Sequence, residues 1–190
     1  MKQIVAVFLA DGFEDIEAIT VIDVLRRADI NVKIVGVNCS SDLLVRSAHG
    51  VSFQADCRLE DLDGDMLQMC VFPGGLPGAT NLQANKTVLK LAKQVYDRGG
   101  FAAAICAAPI VLSTAGLLKD RLYTCYPSFE KQIPEGKYSA TRVQRDGRLI
   151  TACGPGASFE FAFELLAALG KQNKVQELQK AMLIKPTCQD

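Results

Sequence analysis

Cys106 and Glu17 are the two residues of this chain whose types and positions point most directly to chemistry. Cys106 ends the apolar run Phe101-Ala-Ala-Ala-Ile105, which reads as a buried strand, and Ala107, Ala108 and Pro109 then open a helix. Proline is tolerated there because the first helical turn has no N–H partner to lose. A cysteine at such a junction faces free N–H groups and the positive end of the helix dipole, which favour the reactive thiolate. The alternative is a buried structural thiol, a common fate of free cysteines. Glu17 falls in the inward stripe of the first helix, Phe13, Glu17, Thr20, Val21, Val24 and Ala28, where an apolar residue belongs. It is either a stripe-edge side chain reaching to water, or a carboxyl held in a protein-lined site and kept protonated by desolvation.

Further candidates mark strand ends. Pro73-Gly74-Gly75 follows the apolar run Met69–Phe72, and paired glycines there let backbone N–H groups approach an anion, although ordinary turns use the same residues. Gly154-Pro155-Gly156 breaks the chain in the same way after Leu149–Ala152. His49 is the single histidine, so a multi-histidine metal site is excluded and any histidine base for Cys106 must be His49. The seven cysteines are scattered without a Cys-x-x-Cys pair, which removes zinc-ribbon and thioredoxin readings. No metal is expected.

The elements that must position these residues alternate. Strands are predicted at Gln3–Ala10, Asn31–Val37, Met69–Phe72 and Phe101–Ile105. Helices are predicted from an Asp11 cap with Glu14 in capping-box spacing to about Asp29, over Asn81–Arg98, and from Cys106 to Leu117. Leu43–Arg46 and Val51–Gln54 read as a hairpin around His49-Gly50, and Leu59–Asp65 as an acidic loop. Arg121–Cys125 reads as a short strand. Ala140–Arg145 and Leu149–Ala152 flank the turn Asp146-Gly147, and helices close the chain at Ala157–Leu169 and Lys174–Met182. This is an α/β three-layer sandwich with a mostly parallel sheet in a single domain over residues 1–190. Ligands of such sheets bind beyond the strand C-termini, where all four special stretches fall.

Composition agrees. With 49% hydrophobic and 22% charged residues the chain is globular, and its formal net charge of zero offers no basic field for nucleic acid. The N-terminus lacks the shape of a signal peptide and no apolar run approaches membrane-spanning length, so a soluble, cytoplasmic protein with reduced thiols is expected.

The stretches Ala10-Asp-Gly-Phe-Glu-Asp-Ile-Glu17, Ile22-Asp-Val-Leu-Arg-Arg27, Phe72-Pro-Gly-Gly75, Ala103-Ala-Ile-Cys-Ala-Ala-Pro109 and Gly154-Pro-Gly-Ala-Ser-Phe-Glu-Phe161, in this order, resemble the DJ-1 branch of the DJ-1/ThiJ/PfpI superfamily. The resemblance covers essentially the whole chain. It implies a flavodoxin-like fold and a homodimer with the first helix and the His49 hairpin near the interface. It makes Cys106 the nucleophile at an elbow and Glu17 the carboxyl hydrogen-bonded to it. Backbone N–H groups of Gly75 and Ala107, with Gly74 beside them, would cradle an oxyanion. His49, Tyr126 and Pro155 would lie in or behind the pocket, with His49 and Tyr126 standing where relatives carry Arg and His. The implied activity is a cofactor-independent glyoxalase or deglycase acting on a small electrophilic carbonyl such as methylglyoxal. The alternative is an oxidative-stress sensor or redox-regulated chaperone in which Cys106 is oxidised. Ala107 stands where the protease-like members carry His. No His follows residue 49, as a glutamine amidotransferase would need, so neither activity is expected.

Overall fold

A computed structural model describes residues 3–184; Cys188, one of the seven cysteines, lies outside the described residues. In chain order the elements are β1 (Ile4–Leu9), α1 (Asp15–Arg27), β2 (Val32–Gly36), β3 (Leu44–Arg46), β4 (Ser52–Gln54), β5 (Cys57–Arg58) and β6 (Leu67–Phe72). They continue with α2 (Gly78–Ala84), α3 (Lys86–Asp97), β7 (Phe101–Ile105), α4 (Pro109–Thr114), β8 (Leu122–Tyr123), β9 (Lys137–Tyr138), β10 (Val143–Asp146), β11 (Leu149–Ala152), α5 (Ser158–Ala168) and α6 (Gln172–Ala181).

Seven strands form the central sheet in the order β10-β11-β7-β6-β1-β2-β5. All its pairs are parallel except β10 with β11, whose tight Asp146-Gly147 turn permits only the antiparallel arrangement. Side-chain alternation splits each strand between two cores. Val5, Val7 and Leu9 of β1 face the core shared with α1, α5 and α6, whereas Ala6 and Phe8 face the one shared with α2, α3 and α4. The strands are therefore buried on both faces, which explains their near-continuous apolar runs. No helix among the described residues is long and apolar enough to cross a membrane.

Several boundaries depart from the pattern. The first helix is capped by Glu14, whose side chain accepts the Glu17 N–H; the predicted cap, Asp11, instead accepts the Arg46 N–H and ties the β3–β4 hairpin to the β1–α1 loop. The helix predicted over Asn81–Arg98 is two helices, because the Asn85 side chain accepts the N–H groups of Thr87 and Val88 and starts α3 afresh. The helix expected from Cys106 begins three residues later with Pro109. The acidic loop at 59–65 contains two short 3-10 turns, and β10 starts later than expected, at Val143.

Candidate functional site

The C-terminal ends of β1, β6, β7 and β11 meet at one edge of the sheet, and Cys106 sits at the centre of that edge. Its φ of +63° is a left-handed conformation that a side-chain-bearing residue adopts at a cost, and it turns the chain sharply from β7 toward α4. The turn is held from both sides: the Cys106 N–H donates to the Ala152 carbonyl at 2.9 Å, and the Cys106 carbonyl accepts the Tyr126 N–H at 2.9 Å. Because α4 begins only at Pro109, the nearest backbone donor is the Ala107 N–H rather than the helix terminus.

Glu17 is fully buried, which settles its two sequence readings in favour of a carboxyl enclosed by protein. Two features hold it there. Glu14, itself buried, fixes the first turn of α1 through the Glu17 N–H at 2.8 Å. The Gly74 N–H then donates to Glu17 Oε2 at 2.7 Å, while Oε1 is buried without a hydrogen-bond partner among the described residues. Gly74 is the spacer between the two key side chains. A Cβ on it would stand 2.7 Å from Cys106 Cβ, 2.8 Å from Glu17 Oε2 and 3.0 Å from Ala107 N. Gly75, at φ +83°, has no room for a Cβ either, since one would lie 2.5 Å from both Glu14 N and Gly12 O. Side-chain-free backbone is what lets β6 end between α1 and the elbow.

The electrostatics follow from enclosure. Burial pushes the Glu17 pKa up to about 7, against the pull of the Gly74 N–H and of Cys106, and the nearby Glu14 charge adds to the rise. Burial also pushes the Cys106 thiol up, and a charged Glu17 pushes it further, while the N–H groups of Ala107 and Gly75 work in the opposite direction. The thiolate expected from a helix terminus is thus not given by the helix. The buried pair retains a proton near neutrality, and charge on sulfur requires that Glu17 be neutral.

The remaining candidates divide. The N–H groups of Ala107 and Gly75, the expected oxyanion donors, lie near enough to Cys106 to favour its thiolate. Gly74 does not join them, because its N–H is committed to Glu17. Tyr126, about half exposed, and Pro155 line a cavity of about 440 Å³ beside the elbow, with Tyr138, Arg142 and Cys153 also in its wall. His49 belongs elsewhere: its exposed ring pairs with Asp15 at 2.7 Å across the loop that straps the hairpin to α1. The hydrogen bond and charge of Asp15 raise the His49 pKa. Burial pushes Asp15 up, but hydrogen bonds from Ser47 and His49 hold it below its ordinary value. Glu14, Asp15 and His49 come within 4.8 Å of one another, each already engaged in a cap or an ion pair. Sequence reasoning missed Glu14 as the residue that fixes Glu17, although its place three residues ahead of that carboxyl was visible. It also missed Arg142 and Cys153, which only the pairing of β10 with β11 brings to the cavity.

The DJ-1/PfpI family matches residues 3–168. Protein dj-1beta of Drosophila melanogaster is 37% identical over 187 residues, covering 97% of this chain and 98% of that protein. The crystal structure of Drosophila melanogaster DJ-1beta superposes with a TM-score of 0.92 at 36% identity, over 98% of this chain and 100% of that one. A Caenorhabditis elegans protein named glutathione-independent glyoxalase DJR-1.2 is 34% identical over 177 residues, 92% of this chain and 90% of that protein.

Proposed function

The chain belongs to the DJ-1/PfpI family, and from that premise we propose that it is a cofactor-independent glyoxalase or deglycase working through Cys106 and Glu17. The observation that carries this reading is the fully buried Glu17 carboxyl, one oxygen held by the Gly74 N–H and the other unpartnered, set across Gly74 from Cys106. A relative named as a glyoxalase supports it.

The chemistry is a sequence of proton transfers around a covalent bond to sulfur. Cys106 adds as thiolate to the aldehyde carbon of an α-oxoaldehyde such as methylglyoxal, while neutral Glu17 steadies the sulfur. The carbonyl π electrons move to oxygen, where the N–H groups of Gly75 and Ala107 lie and a proton completes a hemithioacetal. Glu17, now a carboxylate of pKa about 7, removes the proton from the former aldehyde carbon and the neighbouring carbonyl oxygen takes up a proton to give an enediol; a proton is then returned to the neighbouring carbon while the first oxygen loses its own. The product is a thioester of the 2-hydroxy acid. Water attacks its carbonyl, the C–S bond breaks, and lactate and free Cys106 result. No electron leaves the substrate, so neither a redox cofactor nor a metal is required by the balance.

The test is lactate formation from methylglyoxal by the wild type, Cys106→Ala and Glu17→Gln. Cys106→Ala abolishes turnover. Glu17→Gln, which keeps a hydrogen bond but cannot accept the carbon-bound proton, lowers kcat by about 100-fold or more. Equal turnover in all three, or none above a free-thiol control, would refute the enzyme reading.

A second reading rests on the partial exposure of Cys106. The same N–H groups suit the oxygen of an oxidised sulfur, which would make the protein an oxidative-stress sensor or redox-regulated chaperone.

A further inference from the structure

Glu14 is an unusual choice of helix cap. It is buried, and its side chain accepts the Glu17 N–H at 2.8 Å to start α1. Serine, threonine and asparagine make such a bond as preferred caps and without charge. Here a second carboxylate stands one helical turn from the buried carboxyl of Glu17. The two are joined through Gly74 in a ring of three hydrogen bonds. The Glu14 N–H donates to the Gly74 carbonyl at 2.9 Å, the Gly74 N–H donates to Glu17 Oε2 at 2.7 Å, and the Glu17 N–H returns to Glu14. A cation stands close by: His49, paired with Asp15 at 2.7 Å, has a ring nitrogen within 4.8 Å of a Glu14 oxygen. The titratable groups that face Glu17 are Glu14 on its own helix and Cys106 at the end of β7, and those that face His49 are Asp15 and Glu14. The end of β6 offers Glu17 only the Gly74 peptide, and α5, packed along α1, turns apolar side chains such as Phe161 and Leu165 to the shared core.

We propose that Glu14 is a positioning residue that acts on Glu17 by charge as well as by geometry, and that His49 moderates this charge from the surface. The role deepens the glyoxalase reading and rests on Cys106 and Glu17 working as a pair. Glu17 must hold a proton while the sulfur is charged, and must later take one from carbon. Both steps call for a basic carboxylate, and a like charge one turn away supplies that basicity by disfavouring ionised Glu17. Burial raises Glu17 most, and Glu14 adds to the rise. The hydrogen bond and charge of Asp15, with Glu14 behind them, in turn favour protonated His49. Protonated His49 offsets part of the negative charge that reaches Glu17, and neutral His49 does not.

The test is the pH dependence of Cys106 alkylation by iodoacetamide, located by peptide mapping, beside lactate production from methylglyoxal. Alkylation reports the thiolate without turnover. In the wild type its rate should rise through the Glu17 value of about 7, where the doubly protonated pair loses its first proton. Glu14→Gln keeps an oxygen for the Glu17 N–H and removes the charge. Its midpoint should fall by about half a unit, and its alkaline plateau by about threefold, because Glu17 then competes less well with sulfur for the remaining proton. His49→Gln should move the midpoint the other way, and by less, since an exposed charge is screened. Coincident midpoints in wild type and both variants, with unperturbed circular dichroism, overturn the proposal, as do midpoints displaced in one direction. Should Glu14→Gln fail to fold, the surface substitution decides alone, and an unmoved midpoint in His49→Gln overturns it. Midpoints ordered as expected without lactate production refute the enzyme reading and leave the role of Glu14 standing.

Discussion

Glu17 shows how strongly one buried side chain can shape both chemistry and stability. Its carboxyl has an ordinary value of 4.5, raised to about 7 by burial. The folded chain therefore binds this proton more tightly than the unfolded chain does. Its favourable contribution is complete below the unfolded value, and stability falls as pH rises through about 7. A rise from 4.5 to about 7 corresponds to about 3 kcal/mol lost on the alkaline side. Glu17→Gln keeps an acceptor for Gly74 and carries no charge, so its melting temperature relative to wild type should be higher at pH 8 than at pH 5. A difference that ran the other way would show that the native state prefers the carboxylate. The same substitution is expected to lower kcat by about 100-fold or more, so the proposed catalytic role would set activity against stability at this residue.

Among the elements, α1 and the β3–β4 hairpin are assembled by local polar groups rather than by propensity. Glu14 caps α1 while Asp11 and Gly12 take the Arg46 backbone, so the hairpin is fastened to the loop that aims Glu17. His49 and Asp15 close the same junction from the solvent side. On the opposite layer, Asn85 separates α2 from α3 by capping the second helix. Removing that side chain leaves two N–H donors without it, and Asn85→Ala should cost about 1 kcal/mol, read as a lower urea midpoint with an unchanged slope. An unchanged midpoint would mean that packing of Val88, Ala92 and Val95 alone sets α3. Activity should survive, because none of the groups bonded to Cys106 or Glu17 belongs to α3.

At the scale of the whole molecule, Ile16 and Ile19 of α1 are 54% and 38% exposed, and Leu44 and Val51 of the hairpin tied to the β1–α1 loop are exposed as well. Exposed large apolar side chains on α1 and on the hairpin suit association, and two copies of the chain are the arrangement that the resemblance implied. Sedimentation should give about twice the 20.5 kDa chain mass, and the double substitution Ile16→Asp with Ile19→Asp should yield the monomer. A wild type that sediments as a monomer at all accessible concentrations would count against it. Because α1 carries both this face and Glu17, the monomeric variant is expected to show weakened turnover.

Much of this was legible in the residues. Buried parallel strands need apolar character on both faces, so the alternation of elements and the α/β layering could be read directly. A cysteine at a strand end and a glutamate in an apolar stripe were visible as exceptions to that same rule. Boundaries were not, since Asp11, Glu14 and Asn85 can each cap a helix and only their spatial neighbours decide which one does. Nor could sequence spacing reveal that Gly74 serves Glu17 rather than an oxyanion. That relation joins residues 57 positions apart, and the meeting of a helix with a strand end is set by the packing of whole layers. The chain itself determined which groups could react; the tertiary structure decided which of them meet, because enclosure and strand register belong to no single stretch.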